Sequence, residues 1–343
     1  MRFLFVGAGA IGTYVGGSLA ASGHAVSFVE QAGPAAVIAE QGLLLRVGTE
    51  TRAVRDFTLH TTMGDALRAG PYDVAVLALK SFDTDAWLDD LLACAPAAGL
   101  PSVLSLQNGV DNEQSIAEKL GADRVIAGTV TSAVGKPGIG QVVEEKRRGM
   151  GIALGHPLSE PLVDALNDAR LGAKLFTDAG PMKWSKLLTN LTGNATSAIL
   201  DMGVAELFAD RRLYEVEMAV LRECLDVMRA LGFRPVDLPG TPVRALAFAA
   251  QRLPRRVAQP ILARMLGAGR GGKMPSFHID LHSGRGRTEV EYLNGAVVRH
   301  GERHGVPTPV NRVLTDTLLA LSSGAQDKES YRRDPDALLR LLD

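Results

Sequence analysis

Residues 2–12, "RFLFVGAGAIG", decide how the chain begins to fold. Residues 2–6 are a short apolar run suited to a strand buried on both faces of a parallel sheet. Gly7, Gly9 and Gly12 follow at once in the spacing G-x-G-x-x-G. A helix-like stretch, "TYVGGSLAASG", comes next, and then a second strand, "HAVSFVE". The three glycines answer separate needs. Gly7 permits a tight turn, Gly9 lets backbone approach a pyrophosphate, and Gly12 lets the helix pack close to the strand. A lone glycine triplet is weak evidence, but strand, turn, helix and strand in this order make a strong one.

The expectation is a Rossmann dinucleotide-binding domain with a parallel sheet, the diphosphate lying at the positive end of the first helix. Gly7, Gly9, Ala10, Ile11 and Gly12 are its expected cofactor-binding residues. Glu30 closes the second strand, 18 residues after Gly12. There an acidic side chain accepts hydrogen bonds from the adenosine ribose hydroxyls of NAD, whereas a 2′-phosphate meets a like charge. Glu30 therefore favours NADH over NADPH.

The alternation continues. "DVAVLALK" (73–80) is a strand ending in Lys80, and "SVLSLQNG" (102–109) is a strand ending in Asn108. Each is followed by a helix-like segment, so both polar residues fall just past the carboxyl ends of parallel strands, where open α/β sheets place ligands. "VIAGTVTSA" and "GQVVEEKRRGMGIALG" supply the last strands, the second read as a hairpin around Arg148 and Gly149. "KLFTD" (174–178) closes the first domain, with Ala179, Gly180 and Pro181 as the link. The expected domains are 1–178, a Rossmann domain, and 179–343, a helical substrate and catalytic domain.

From Met182 onward the apolar period is about 3.6 residues. In "KLLTNLTGNATSAIL" (186–200), read as one helix, Lys186, Asn190, Asn194 and Ser197 share a face, opposite Trp184, Leu187, Leu188, Leu191 and Ala198. Residues 187–200 carry no charge, and their polar positions are Asn, Thr and Ser. Those residues compete with helix backbone for hydrogen bonds and are poor choices for a free surface. A buried helix lining a site accounts for them better. Residues 211–232 read as a strongly amphipathic helix without chemistry, and 238–272 as a Pro- and Gly-broken helical excursion rich in arginine. "GRGRTEVEYLNG" resumes a helix through Glu289, and Glu291, two residues on, points elsewhere.

Composition narrows the rest. With 37 basic and 38 acidic residues the net charge is −1, which makes no electrostatic case for nucleic acid or a membrane surface. No apolar run is long enough to span a bilayer, and the chain enters a strand with no leader pattern. The two cysteines, Cys94 and Cys224, offer neither a disulfide framework nor a metal spacing. A cytoplasmic protein of two domains is expected.

Together "GAGAIG", "LALKS", "LQNGVDNE", "KLLTNLTGNATSA" and "GRTEVEYLNG", with "HGVPTP" after it, resemble the ketopantoate reductases (2-dehydropantoate 2-reductases) in order and spacing along nearly the whole chain. The resemblance implies a Rossmann domain, a helical domain, and a site in the cleft between them. It also implies hydride transfer from NADPH to the keto carbon of ketopantoate, in pantothenate biosynthesis. By motif, Lys186 matches the general acid towards the carbonyl oxygen and Glu289 its acidic partner. Asn190 and Asn194 match the substrate-facing asparagines. Lys80 and Asn108 match residues at the cofactor–substrate junction, and Ser276 in "MPSFHID" matches the serine on the substrate carboxylate. The chemistry agrees. Hydride delivered to a 2-keto acid leaves charge on the carbonyl oxygen, which needs a proton or a cation and requires no metal.

Three features depart from the family. Glu30 stands where NADPH users carry a basic residue; "SFHID", with His278 and Ile279, replaces "SMLQD"; and "GRGRTE" and the 235–275 segment are longer. The leading reading is a reductase of a small branched 2-keto acid using NAD(P)H, with a homodimer as the assembly it leaves open. Two others remain: an NADH-dependent D-2-hydroxy acid dehydrogenase on the same scaffold, and a dinucleotide-sensing binding protein without turnover. A sensor has no need of Lys186 with Glu289.

Overall fold

The computed structural model describes residues 1–95, 99–269, 274–282 and 286–342. Packing divides the chain into two compact units, Met1–Lys183 with Leu238–Thr241, and Trp184–Asp237 with Pro242–Asp343.

In the first unit the strands are β1 (Arg2–Val6), β2 (Ala25–Val29), β3 (Leu43–Val47), β4 (Glu50–Val54), β5 (Thr58–His60) and β6 (Val74–Leu77). They continue with β7 (Ser102–Ser105), β8 (Val125–Val130), β9 (Ala133–Gly138), β10 (Gln141–Lys146), β11 (Met150–Ala153) and β12 (Ala173–Phe176). Eight of them form one sheet in the order β12-β11-β8-β7-β6-β1-β2-β5. It is parallel from β5 to β8, and β11 joins antiparallel to β8. Side chains alternate faces along a strand, and here both faces are covered. Phe3 and Phe5 join one core with Val74, Val76 and Leu104, while Leu4 and Val6 join another with Ala75, Leu77 and Val103. That double burial is why β1 reads as a continuous apolar run.

The sequence reading missed a second sheet, ordered β4-β3-β10-β9. The helix after the glycine loop, Ala10–Ala21, packs against both sheets. A Cβ at Gly16 would lie 2.7 Å from Phe28 of the large sheet, and one at Gly17 would lie 2.8 Å from Leu45 of the small one. The pair is therefore a packing device. Tyr14 on the same helix donates to Glu144 of β10; burial, then the Glu144 carboxylate, push its phenol pKa up.

The expected hairpin around Arg148 and Gly149 does not form. β10 pairs with β9 and β3, whereas β11 pairs with β8 and β12 in the large sheet. Burial explains the split. β11 is buried throughout, as a strand covered on both faces must be, while β10 keeps polar positions exposed. The crossing is held by Ser132, whose Oγ accepts the N–H groups of Arg148 and Gly149 at 3.0 Å each.

The second unit is helical. Ala179, Gly180 and Pro181, read as a link, are the first turn of helix Ala179–Leu191. The Gly180 N–H donates to Asp178 Oδ1 at 2.9 Å, and proline is tolerated in a first turn because its missing N–H had no helical acceptor there. The single helix expected across 186–200 is two, Ala179–Leu191 and Asn194–Leu200, broken at Gly193 with φ +64°. Helix Arg211–Ala230 is amphipathic as expected, but it buries two carboxylates, Glu217 and Glu223. Glu217 accepts the Gly193 N–H at 2.6 Å, satisfying a donor that the break exposes. Glu223 accepts the N–H groups of Val310 and Asn311 at 2.8 and 2.9 Å, capping helix Pro309–Ser323. Burial nevertheless pushes the Glu223 pKa upward.

Candidate functional site

In the first unit the strand order reverses beside β1, with β2 and β5 to one side and β6, β7 and β8 to the other. Such a switch point opens a crevice at the carboxyl ends of the strands. The glycine loop leaves β1 there, and Lys80 and Asn108 follow β6 and β7. The loop's glycines are unequal. A Cβ at Gly12 would lie 2.0 Å from the Gly7 carbonyl oxygen, and Gly7 has φ +88°, so the fold itself demands both. A Cβ at Gly9 would meet nothing within 4 Å. Packing within the fold does not demand a glycine there, and the open space leaves room for close approach of an outside group such as a diphosphate. Gly9 is the N-cap of the helix that starts at Ala10, and Ile11 follows in its first turn. That turn contains no acidic side chain of its own, which favours an anion at the helix terminus.

Glu30 lies at the end of β2 as expected, and its two oxygens are already engaged. Oε2 accepts the Ala8 N–H at 2.7 Å and Oε1 accepts the Gln31 N–H at 2.8 Å. A carboxylate offers about four acceptor sites, so ribose hydroxyls can still be received. The carboxylate thus also braces the glycine loop, a role the sequence reading did not anticipate.

The loops bearing Lys80 and Asn108 are joined by buried side chains. Ser81 Oγ donates to the Asn108 carbonyl at 2.8 Å, and Asn112 Nδ2 donates to the same oxygen at 2.6 Å. Gln107, 4 % exposed, directs Nε2 at Thr84 Oγ1, 2.8 Å away, and at the Leu79 and Lys80 carbonyls at 3.2 and 3.3 Å. Sequence reasoning also missed Lys183. Its Nζ lies 2.7 Å from Glu113 Oε1 and donates to the Gln107 carbonyl at 2.8 Å, with the side chain 4 % exposed. A buried ion pair of this kind is costly to break from one side. The available signals were a lysine within an apolar helix turn and a glutamate ending "NGVDNE".

In the second unit Lys186 and Asn190 are half-buried on helix Ala179–Leu191, and Asn194 is 3 % exposed at the start of the next helix. The structure joins Asn194 to Ser276. Asn194 Nδ2 donates to Ser276 Oγ at 3.2 Å, and Asn194 Oδ1 accepts the Phe277 N–H at 3.0 Å. Ser276 opens helix Ser276–His282 and is exposed. Ser197, read as part of the same stripe, instead donates to the Met202 carbonyl at 2.5 Å. Glu289 is not on a helix. It precedes a short 3₁₀ turn, Val290–Tyr292, so the helical-face argument separating it from Glu291 fails. Burial separates them instead: Glu289 is 3 % exposed and Glu291 is exposed. His278 is engaged with Asp201, Nε2 to Oδ1 at 2.7 Å.

No helix among the described residues is long and apolar enough to cross a membrane, and Cys94 and Cys224 are free thiols. Two family models match the chain: "Ketopantoate reductase PanE/ApbA" over residues 3–155 and "Ketopantoate reductase PanE/ApbA C terminal" over residues 178–322. A 2-dehydropantoate 2-reductase of Archaeoglobus fulgidus is 29% identical over 327 residues, covering 94% of this chain and 98% of its own. A ketopantoate reductase of Ralstonia eutropha JMP134 superposes with a TM-score of 0.79 at 26% identity, covering 94% of this chain and 99% of its own. A D-mandelate dehydrogenase in complex with NADH and anilino(oxo)acetate superposes with a TM-score of 0.77 at 22% identity, covering 94% and 99%, a likeness of fold.

Proposed function

The chain belongs to the ketopantoate reductase family of NAD(P)-dependent oxidoreductases, and from that premise we propose that it reduces a branched 2-keto acid, ketopantoate being the family's substrate. A nicotinamide dinucleotide supplies the hydride when bound. In this reading the glycine loop and the N-terminus of helix Ala10–Ala21 receive its diphosphate, Glu30 its adenosine ribose, and Lys80 and Asn108 border the nicotinamide end. Lys186 gives a proton to the carbonyl oxygen as charge develops there, and Glu289 is the acidic partner that holds the ammonium in place. Asn190, Asn194 and Ser276 donate to the substrate's carboxylate and hydroxyl without adding charge. Lys186 carries the reading: a half-buried cation heading a segment, 187–200, that contains no other charge.

Glu30 also supports a second reading, an NADH-dependent D-2-hydroxy acid dehydrogenase acting on branched or aromatic 2-keto acids. A 2′-phosphate of roughly −2 charge beside this carboxylate costs about 1–3 kcal/mol, or about 5- to 150-fold in kcat/KM. A panel of 2-keto acids, each assayed with NADH and with NADPH at fixed salt, separates the readings. NADH should be the better cofactor, and Glu30→Arg should reduce or reverse that preference. Ketopantoate turned over best selects the first reading, an aromatic 2-keto acid the second; NADPH preferred by the unmodified enzyme refutes the role given to Glu30.

A further inference from the structure

The two helices joined by the Asn194–Ser276 contact also carry a group of side chains to which the proposed reaction gives no part. Asp201 caps helix Asn194–Leu200 in a left-handed conformation, φ +50°. His278 and His282 stand four residues apart on helix Ser276–His282, so both rings lie on one face. Their ring centroids are 4.2 Å apart. One ligand atom from each of Asp201, His278 and His282 falls within 4.8 Å of the others.

We propose that Asp201, His278 and His282 form a binding site for a borderline divalent ion of the zinc class, which clamps the two helices that carry Asn194 and Ser276. Two imidazole nitrogens and one carboxylate oxygen suit zinc, with a fourth position left to water. His282 is exposed and His278 is 14 % exposed at its side chain, so the group is reachable without opening the core.

The geometry must adjust: ligand atoms that now lie within 4.8 Å must close on one ion, and the stacked rings, 28° between planes, must turn so that their nitrogens converge. Tetrahedral ligands at about 2.0–2.1 Å from zinc stand roughly 3.3 Å apart. His278 Nε2 and Asp201 Oδ1, now 2.7 Å apart, must therefore separate slightly and release the proton between them. Asp201 is 30 % exposed, which leaves its side chain room to rotate. Arg332 Nε lies 3.3 Å from Asp201 Oδ2, on the other oxygen, and Glu329 offers Arg332 a second carboxylate at 3.3 Å. The arginine can shift without losing all pairing.

The test is titration of chelator-treated full-length protein with zinc chloride by calorimetry, alongside thermal unfolding with and without the ion. One ion per chain and a raised Tm are expected. His282→Ala should weaken binding at least about a hundredfold, beyond the 10–100-fold usual for a supporting residue. This position is exposed, so the variant should fold normally. Asp201→Asn should weaken binding while keeping the left-handed cap, which asparagine tolerates. His304→Ala, in the separate His300/His304 pair, should leave stoichiometry and affinity unchanged. No saturable binding, equal binding by wild type and His282→Ala, or loss on His304→Ala instead would each leave an ion pair with a histidine stack and overturn the site.

Discussion

At the scale of single residues, charge and burial carry the functional reading. Lys186→Ala should lower kcat at least about a hundredfold, the loss expected for a general acid, while dinucleotide binding measured by fluorescence titration is kept. Near-normal turnover would remove Lys186 from the chemistry. Glu289→Gln should harm kcat far more than Glu291→Gln, now on the ground that Glu289 is 3 % exposed while Glu291 is at the surface. Steady-state kinetics of the two variants decide this, and equal effects would mean that neither carboxylate belongs to the site. The family motif points to Glu289, but Glu289 and Glu291 do not share an α-helix, so helical geometry does not separate them. Periodicity could not show that "VEY" (290–292) forms a single 3₁₀ turn with Glu289 before it, because that depends on what the turn packs against.

At the scale of elements, breaks and caps shape the helical unit. The uncharged run 187–200 was legible as buried, and Asn194, Thr196 and Ser197 are indeed buried. Its interruption at Gly193 was not legible, because a mid-segment glycine is compatible with a continued helix. What stabilises the break lies in a different helix: the Glu217 carboxylate takes the Gly193 N–H at 2.6 Å. Glu217→Ala should therefore cost about 1–3 kcal/mol by leaving a buried donor unmet. Because Asn194 starts the helix beyond the break, KM for the keto acid should rise more than kcat falls. Urea unfolding and steady-state kinetics measure the two effects, with Glu217→Gln expected to restore part of each. An unchanged unfolding midpoint in Glu217→Ala would deny the carboxylate this role.

At the scale of the whole molecule, Glu223 makes stability depend on pH. Burial raises its folded-state pKa above the ordinary value of about 4.3, so the native state holds the proton more firmly than the unfolded chain. Its contribution is full below the ordinary carboxylate range and declines as pH rises through the raised folded value. The Tm of the wild type minus that of Glu223→Gln should fall as pH is raised from about 4.5 towards 7. A difference that stays flat, or grows, would show that the three hydrogen bonds from Val310 and Asn311 outweigh burial.

The sequence by itself determined the α/β and helical halves, the glycine loop between β1 and the first helix, and the positions of Lys80 and Asn108 just past strand ends. Each is written in local periods and in the special backbone needs of glycine. Tertiary structure decided which sheet β10 and β11 join, since that choice turns on whether one face or both will be covered by distant segments. It also decided that Gln107 and the Lys183–Glu113 pair brace the Asn108 loop, and that Glu217 and Glu223 serve as caps from within an ordinary amphipathic helix. A polar side chain's sequence neighbourhood does not reveal its burial or its bonding group, because both are supplied by residues far along the chain that only folding brings within reach.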